Sequence, residues 1–311
     1  MFLTDNYYHR GFMNQKIPKL YKYTSSDTAI KILKSGNVKY SSPLIFNDPF
    51  DFQSELRFGN EKDEFIKIAQ NIITDIICSR KNYDINPSDE WGQSILLLKK
   101  LILEDGHCPD PVKETIDQVI NDFALMGHDT FNKANENWKI NLSKSRVFCL
   151  SEVNDSILMW SHYSECHTGV VFEFDIKEEL DTFFSTAVPI IYKSDPPFFI
   201  TVEQWIEDLI GHNKIDYKKL NREYPYFKSD VWSYEKEWRV WIILPEVEQK
   251  EYSFYSIHPQ ELKSIYFGCK INIEERKKII DSALSFNKNI TFYQAEKAID
   301  KYGLNFKEFL L

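Results

Sequence analysis

The feature that most constrains the fold is a change of period along the chain. Residues 53–145 carry apolar side chains at helical spacing, in "DEFIKIAQNIITDIICSRK", "EWGQSILLLKKLILED" and "VKETIDQVINDFALMGHDTFNKANENWKINLSK". Pro87, Pro109 and Pro111 punctuate this block. The stretches before and after it are strand-sized runs, apolar or alternating. No internal repeat, low-complexity stretch or Pro/Gly/Ser-rich linker separates the parts. We therefore expect one α+β domain over residues 1–311, with a helical insertion at about 53–145.

The flanking elements follow from local chemistry. "KLYKYT" reads as a strand. Ser25 or Ser26 caps the helix "DTAIKILKSG", which carries Ala29, Ile30 and Leu33 on one side and ends at Gly36. "NVKYSSP" is a second strand, and "FNDPFD" a turn set by Asp48-Pro49. After the helical block come the strand "SRVFCLSE" and a short helix and loop, "NDSILMWSHYSECHTG", capped by Asn154 or Asp155. Strands "VVFEFDI" and "STAVPIIYK" and the helix "VEQWIEDLIGHNKID" come next. "VWSYEKEWRVWIIL" reads as one strand, "LKSIYFGCKI" as a strand turning at Gly268, "IEERKKIIDSALSF" as a helix and "NITFYQAE" as a last strand.

Bulk properties narrow the class. With 311 residues, 43% of them hydrophobic, the chain can bury a sizeable core, and 15% aromatic content argues against disorder. A net charge of −9 opposes blanket neutralisation of phosphates, so a nucleic-acid partner would need a local basic path. The cysteines at 78, 108, 149, 166 and 269 are scattered and odd in number, as expected in a reducing cytosol. "MFLTDNYYHRGFMNQK" lacks the apolar core of a signal peptide, and no segment has the length of a membrane span. The expected location is cytoplasmic, without a membrane partner.

Three stretches carry candidate chemistry. In "VWSYEKEWRVWIIL" a strand would place Glu235, Glu237, Arg239 and Trp241 on one face, either as a polar site or as a salt-bridged structural surface. Two carboxylates held close raise one pKa where water is excluded, which suits acid–base work or a ribose diol. "MWSHYSECHTGVVFEF" gathers Trp160, His162, Tyr163, His167 and Glu173 at a strand entrance, as binding sites do; an amphipathic helix with Trp160 and Tyr163 in the core gives the same pattern. "LYKYTS" and "KYSSP" offer Lys22, Tyr23, Ser41 and Ser42, with Lys22 and Tyr23 pointing opposite ways; Lys22 is a phosphate partner or a solvent-facing lysine. Cys149, His162, Cys166 and His167 have no metal-site spacing, and no glycine-rich phosphate loop is present, so we expect no metal.

Five stretches in this order resemble DUF2971, a bacterial family of unknown function: "LYKYTS", "ILKSGNVKYSSPLIFNDPFD", "FCLSEVNDSILMWSHYSECHTGVVFEFD", "VWSYEKEWR" with Lys228 ahead of it, and "SIYFGCKI". The layout is also similar to the ADP-ribosyltransferase fold, which implies mixed or antiparallel sheets forming a central cleft and NAD as co-substrate. Carried over residue by residue, Lys22 stands for the first-strand cation that meets the pyrophosphate, where that fold has Arg or His. Ser41 or Ser42 stands for the serine strand, which here reads "YSSP". Glu235-Lys236-Glu237 stands for Glu-x-Glu. The resemblance implies that Glu237 binds the ribose hydroxyls and stabilises an oxocarbenium-like transition state, and that Glu235 orients or deprotonates the acceptor. Tyr23 or Trp160 would stack on nicotinamide, with His162 and Tyr163 beside them. The implied reaction is transfer of ADP-ribose to a protein or nucleic-acid acceptor, or NAD hydrolysis, in a bacterial toxin or antiphage effector with an inhibitory partner protein. The rival readings are a non-catalytic nucleotide- or protein-binding module, and a hydrolase or nuclease using His162, Glu173 and Glu237.

Overall fold

The computed structural model describes residues 17–58, 62–78, 83–105 and 110–309. The N-terminal stretch read above for a signal peptide lies outside them, as do Cys108 and Pro109. In chain order the elements begin with β1 (Leu20–Thr24), α1 (Ser26–Ser35), β2 (Asn37–Ser41), α2 (Lys62–Cys78), α3 (Glu90–Asp105) and α4 (Asp110–Lys144). There follow β3 (Ser145–Ser151), α5 (Ile157–Tyr163), β4 (Val170–Phe174), β5 (Val188–Pro189), β6 (Ile191–Lys193), α6 (Val202–Leu209) and α7 (Tyr217–Glu223). The chain continues with β7 (Phe227–Ser229), β8 (Glu237–Ile243), β9 (Tyr252–Ser256), β10 (Leu262–Phe267), α8 (Ile273–Phe286), β11 (Thr291–Lys297) and β12 (Leu304–Glu308).

The described residues form two compact units. One takes 17–53, 142–194 and 226–309 and holds all these strands; the other takes residues within 54–141 and 195–225 and is helical. The helical block read from the sequence is thus joined by α6 and α7, which come much later in the chain. Among the described residues, no helix is long and apolar enough to cross a membrane.

The β-rich unit is an α+β assembly around one mixed, mostly antiparallel sheet. Its strands run β12-β11-β10-β4-β1-β3-β2-β9, with β8 paired to β3 and β5 to β8; β10 and β11 are parallel, with α8 between them in sequence. Strands β6 and β7 make a separate parallel pair. Register decides what each face carries. Leu20, Phe148, Leu150, Phe172, Phe174, Trp238 and Val240 lie in the core packed by Ala29, Ile32 and Leu33 of α1 and Ile279 and Ala283 of α8. Tyr23, Val171 and Tyr266 point the other way and pack against Met159 and Trp160 of α5. Burying side chains of this size contributes about 1.5–3 kcal/mol each before chain entropy is counted.

Strand β3 has three neighbours. Ser151 pairs with both Glu237 of β8 and Tyr21 of β1, and Val147 with both Trp241 of β8 and Ser41 of β2. A strand has two edges, so β1 and β2 share the one opposite β8 and diverge along it. Lys22 sits at this fork: its Nζ donates to the carbonyl of Cys149 at 2.9 Å and lies 4.8 Å from the Phe148 ring centroid.

Of the two caps expected for α1, Ser25 is the one used: its side chain accepts from Thr28 N–H, and Gly36 closes that helix as expected, at φ 68°. Other expectations are corrected. The cap of α5 is Ser156, accepting from Met159 N–H, and not Asn154 or Asp155. "STAVPIIYK" divides into a 3₁₀ turn and the short strands β5 and β6; between them the Ile190 N–H donates to Glu237 O, continuing the pairing of β5 with β8 before the chain turns to β7. "VWSYEKEWRVWIIL" is a strand only from Glu237; Asp230–Glu235 is a 3₁₀ helix, and Lys236 breaks the chain at φ 41°. Strands β7, β9 and β12 and helix α7 were not expected.

Candidate functional site

The break at Lys236 has a chemical result. Glu235 is off the strand, so it does not share a strand face with Glu237, Arg239 and Trp241. Both carboxylates instead turn onto one lysine that precedes them. Lys228 Nζ donates to Glu235 Oε2 at 2.6 Å and to Glu237 Oε2 at 2.8 Å, and lies 3.3 Å from Asp51 Oδ2. Arg239 fills the opposite side, donating through Nε to Glu237 Oε1 at 2.6 Å and through Nη2 to both oxygens of Asp51 at 2.7 and 2.6 Å. These five side chains are all at least nine-tenths buried.

Around this core stand polar and aromatic groups. Tyr163 O–H donates to Glu235 Oε1 at 2.7 Å, and the Tyr192 hydroxyl accepts from the Glu237 N–H at 2.8 Å. The Lys228 ammonium lies 5.2 Å from the Trp232 ring, whose Nε1–H donates to Asp48 Oδ2 at 2.7 Å. Tyr163, Trp232 and Tyr234 are half-buried. Beneath the guanidinium, Phe46 and Phe52 close the site at 5.9 and 5.6 Å.

Charge and burial compete here. Burial alone would raise the Glu237 carboxyl; Arg239 and then Lys228 outweigh it and hold the group well below the usual carboxylate range. Burial would lower Lys228, but Glu237, Asp51 and Glu235 keep it above the ordinary lysine value. The half-buried Cys149 thiol, beside Glu237, is pushed up by desolvation and then by that carboxylate. Glu237 is therefore a fixed anion with both oxygens occupied. Three carboxylates face two cations, leaving the cluster one negative charge in excess.

Other expected site residues lie elsewhere. Lys22 shares its strand face with Leu20 and pairs with Phe172, so it leaves the sheet on the face opposite Glu237. Ser41 ends β2 against Val147, and Ser42 is buried, its Oγ accepting from Leu44 N–H. Tyr23 and Trp160 are core residues, donating to the carbonyls of Val153 and Asn154, so neither ring has a free face for nicotinamide. His162 is exposed beside Tyr163, with ring centroids 6.2 Å apart. Glu173 is taken by Lys19 at 2.7 Å and Tyr266 O–H at 2.6 Å. Through the row Glu173, Tyr21, Ser151, Glu237 it stands three strands, roughly 14 Å, from Glu237. The hydrolase trio of His162, Glu173 and Glu237 is therefore not assembled.

Asp51, Lys228 and Arg239 complete the cluster and were not among the expected site residues. Arg239 was legible as the third charge of the "EKEWR" spacing. Asp51 had only its place in an aromatic-flanked turn. Among the described residues no group of three or more His, Cys, Asp or Glu is arranged to hold a metal ion.

No curated protein and no solved structure matches the chain. The segment that supplies Tyr163, Lys228, Glu235, Glu237 and Arg239 has a family match. Residues 159–240 fit the model of DUF2971, a family described as protein of unknown function, and the membership expected from the motifs is supported over that segment.

Proposed function

We propose that the chain is an ADP-ribosyltransferase-like enzyme that cleaves NAD, with the Lys228-centred cluster as its working site. The observation that carries this reading is convergence. "FNDPFD", "MWSHY" and the stretch from Lys228 to Arg239 are far apart in sequence, yet Asp51, Tyr163, Lys228, Glu235, Glu237 and Arg239 meet in one hydrogen-bonded group. In this account Glu237 is the preorganised anion that stabilises positive charge developing on the ribose. Glu235, linked to Tyr163, engages a ribose or acceptor hydroxyl. The half-buried rings of Trp232, Tyr234 and Tyr163 offer a stacking surface for a flat base. Lys22 starts from the other face of the sheet and is bonded to the Cys149 carbonyl, so it is not assigned the pyrophosphate here.

A second reading, a binding module without catalysis, is favoured by one observation: both Glu237 oxygens are already satisfied by Arg239 and Lys228. The two readings separate in one experiment. Purified protein is incubated with NAD, with and without cell extract as acceptor, and nicotinamide release is followed beside a Glu237→Gln variant. Release by the parent and its loss in the variant support the enzyme. NAD binding without release supports the binding module, and neither binding nor release removes NAD from both.

A further inference from the structure

We propose that the helical unit holds a second binding site, for a single-ring aromatic anion such as an aryl carboxylate or aryl phosphate. A cavity of about 380 Å³ opens there, lined by residues 54–58, Phe65, His128, Phe131, Asn132, Asn135 and Pro196. That volume lies in the range of small-molecule pockets.

The cavity wall is aromatic. Phe58 stacks on Phe131 with centroids 4.2 Å apart and planes within 8°, and Phe65 meets Phe131 edge-on at 5.1 Å. Phe131 and Phe65 are buried, whereas Phe58, which also meets Phe199 edge-to-face at 5.6 Å, is half-exposed and is the ring of this wall that a ligand can reach. The wall is also fixed in place: Asn135 accepts from Leu56 N–H at 2.7 Å and donates back to Leu56 O at 3.4 Å.

The polar groups have donors to spare. Arg57 uses one N–H on the carbonyl of Pro196 at 2.9 Å and lies 4.4 Å from the Phe198 ring, leaving the other edge of the guanidinium for an oxyanion. The Asn132 amide nitrogen lies 3.2 Å from His128 Nδ1, so the two line the cavity as a polar pair beside the guanidinium. The carboxylate lining the cavity, Glu55, is neutralised by Lys139 at 2.6 Å. An apolar wall, a planar cation and a neutralised acid select a flat ring bearing a negative group.

Titration calorimetry on the full chain tests this, with benzoate and phenyl phosphate as anionic probes and benzyl alcohol as the neutral one. At least one anion binds, and benzyl alcohol binds about tenfold more weakly or worse. Arg57 is exposed, so Arg57→Met folds and loses about tenfold in anion affinity. Absence of anion binding to the parent, equal binding of the neutral probe, or unchanged affinity in Arg57→Met each overturns the proposal.

Discussion

Arg239 grips Asp51 through one nitrogen: Nη2 lies 2.7 and 2.6 Å from the two carboxylate oxygens, with the guanidinium entirely out of solvent. The contact ties the "FNDPFD" turn to strand β8. Removing the cation would leave two buried carboxylates short of a partner, a far costlier state than the pair itself.

Arg239→Met is therefore expected to lower stability by about 3–5 kcal/mol, read from urea unfolding. Arg239→Lys keeps the charge but loses the planar donors, so its loss is smaller and still measurable. A loss near zero for the methionine variant would contradict the cluster as described.

The cluster also sets a pH dependence. The Glu237 carboxyl is depressed below its ordinary 4.5, so its contribution is present above that value and is lost as pH falls through the folded value. Lys228 is raised above its ordinary 10.5, so its contribution is present below that value and is lost as pH rises through the folded one. Urea midpoints measured against pH should show a plateau between these limits. In Glu237→Gln the decline on the acid side should flatten, since that carboxyl no longer titrates.

At Lys236 the backbone has φ 41°, a conformation costing a side-chain-bearing residue about 1–2 kcal/mol. Lys236→Gly is expected to hold stability within about 1 kcal/mol of the parent. Lys236→Val should lose about 1–2 kcal/mol or more and, by moving Glu235 away from Lys228, change the fluorescence of nearby Trp232.

Trp160 is fully buried with its indole N–H bonded at 2.8 Å to Asn154 O. Trp160→Ala should cost about 3–5 kcal/mol in chemical unfolding. A ligand-stacking Trp160 would instead leave stability nearly unchanged on truncation.

Much of the framework was legible in local pattern. The strand "KLYKYT", the helix closed by Gly36 and the alternation of "VVFEF" all depend on neighbours in sequence. The opposed directions of Lys22 and Tyr23 were legible for the same reason. Which of them would face Glu237 was not, because that is set by the pairing of Tyr21 with Ser151 and of Ser151 with Glu237, contacts between distant strands. The charges of "EKEWR" announced a polar site, but spacing alone read them as one strand. Only the left-handed Lys236 lets Glu235 and Glu237 turn onto the same lysine. Asp51 was invisible because a turn residue's inward direction is decided by Arg239, far along the chain.

The most direct test asks whether the cluster is built for chemistry or for stability. Glu235→Gln removes the excess negative charge while keeping the size of the side chain; its amide oxygen can still accept from Lys228, and its amide N–H can donate to the Tyr163 hydroxyl. Urea stability and nicotinamide release from NAD would be measured on the same preparations of parent and variant. The account predicts that the parent releases nicotinamide, and that the variant keeps or gains stability while losing release. A variant destabilised by several kcal/mol, or a parent that releases no nicotinamide, would contradict it and leave the charges as a buried structural network.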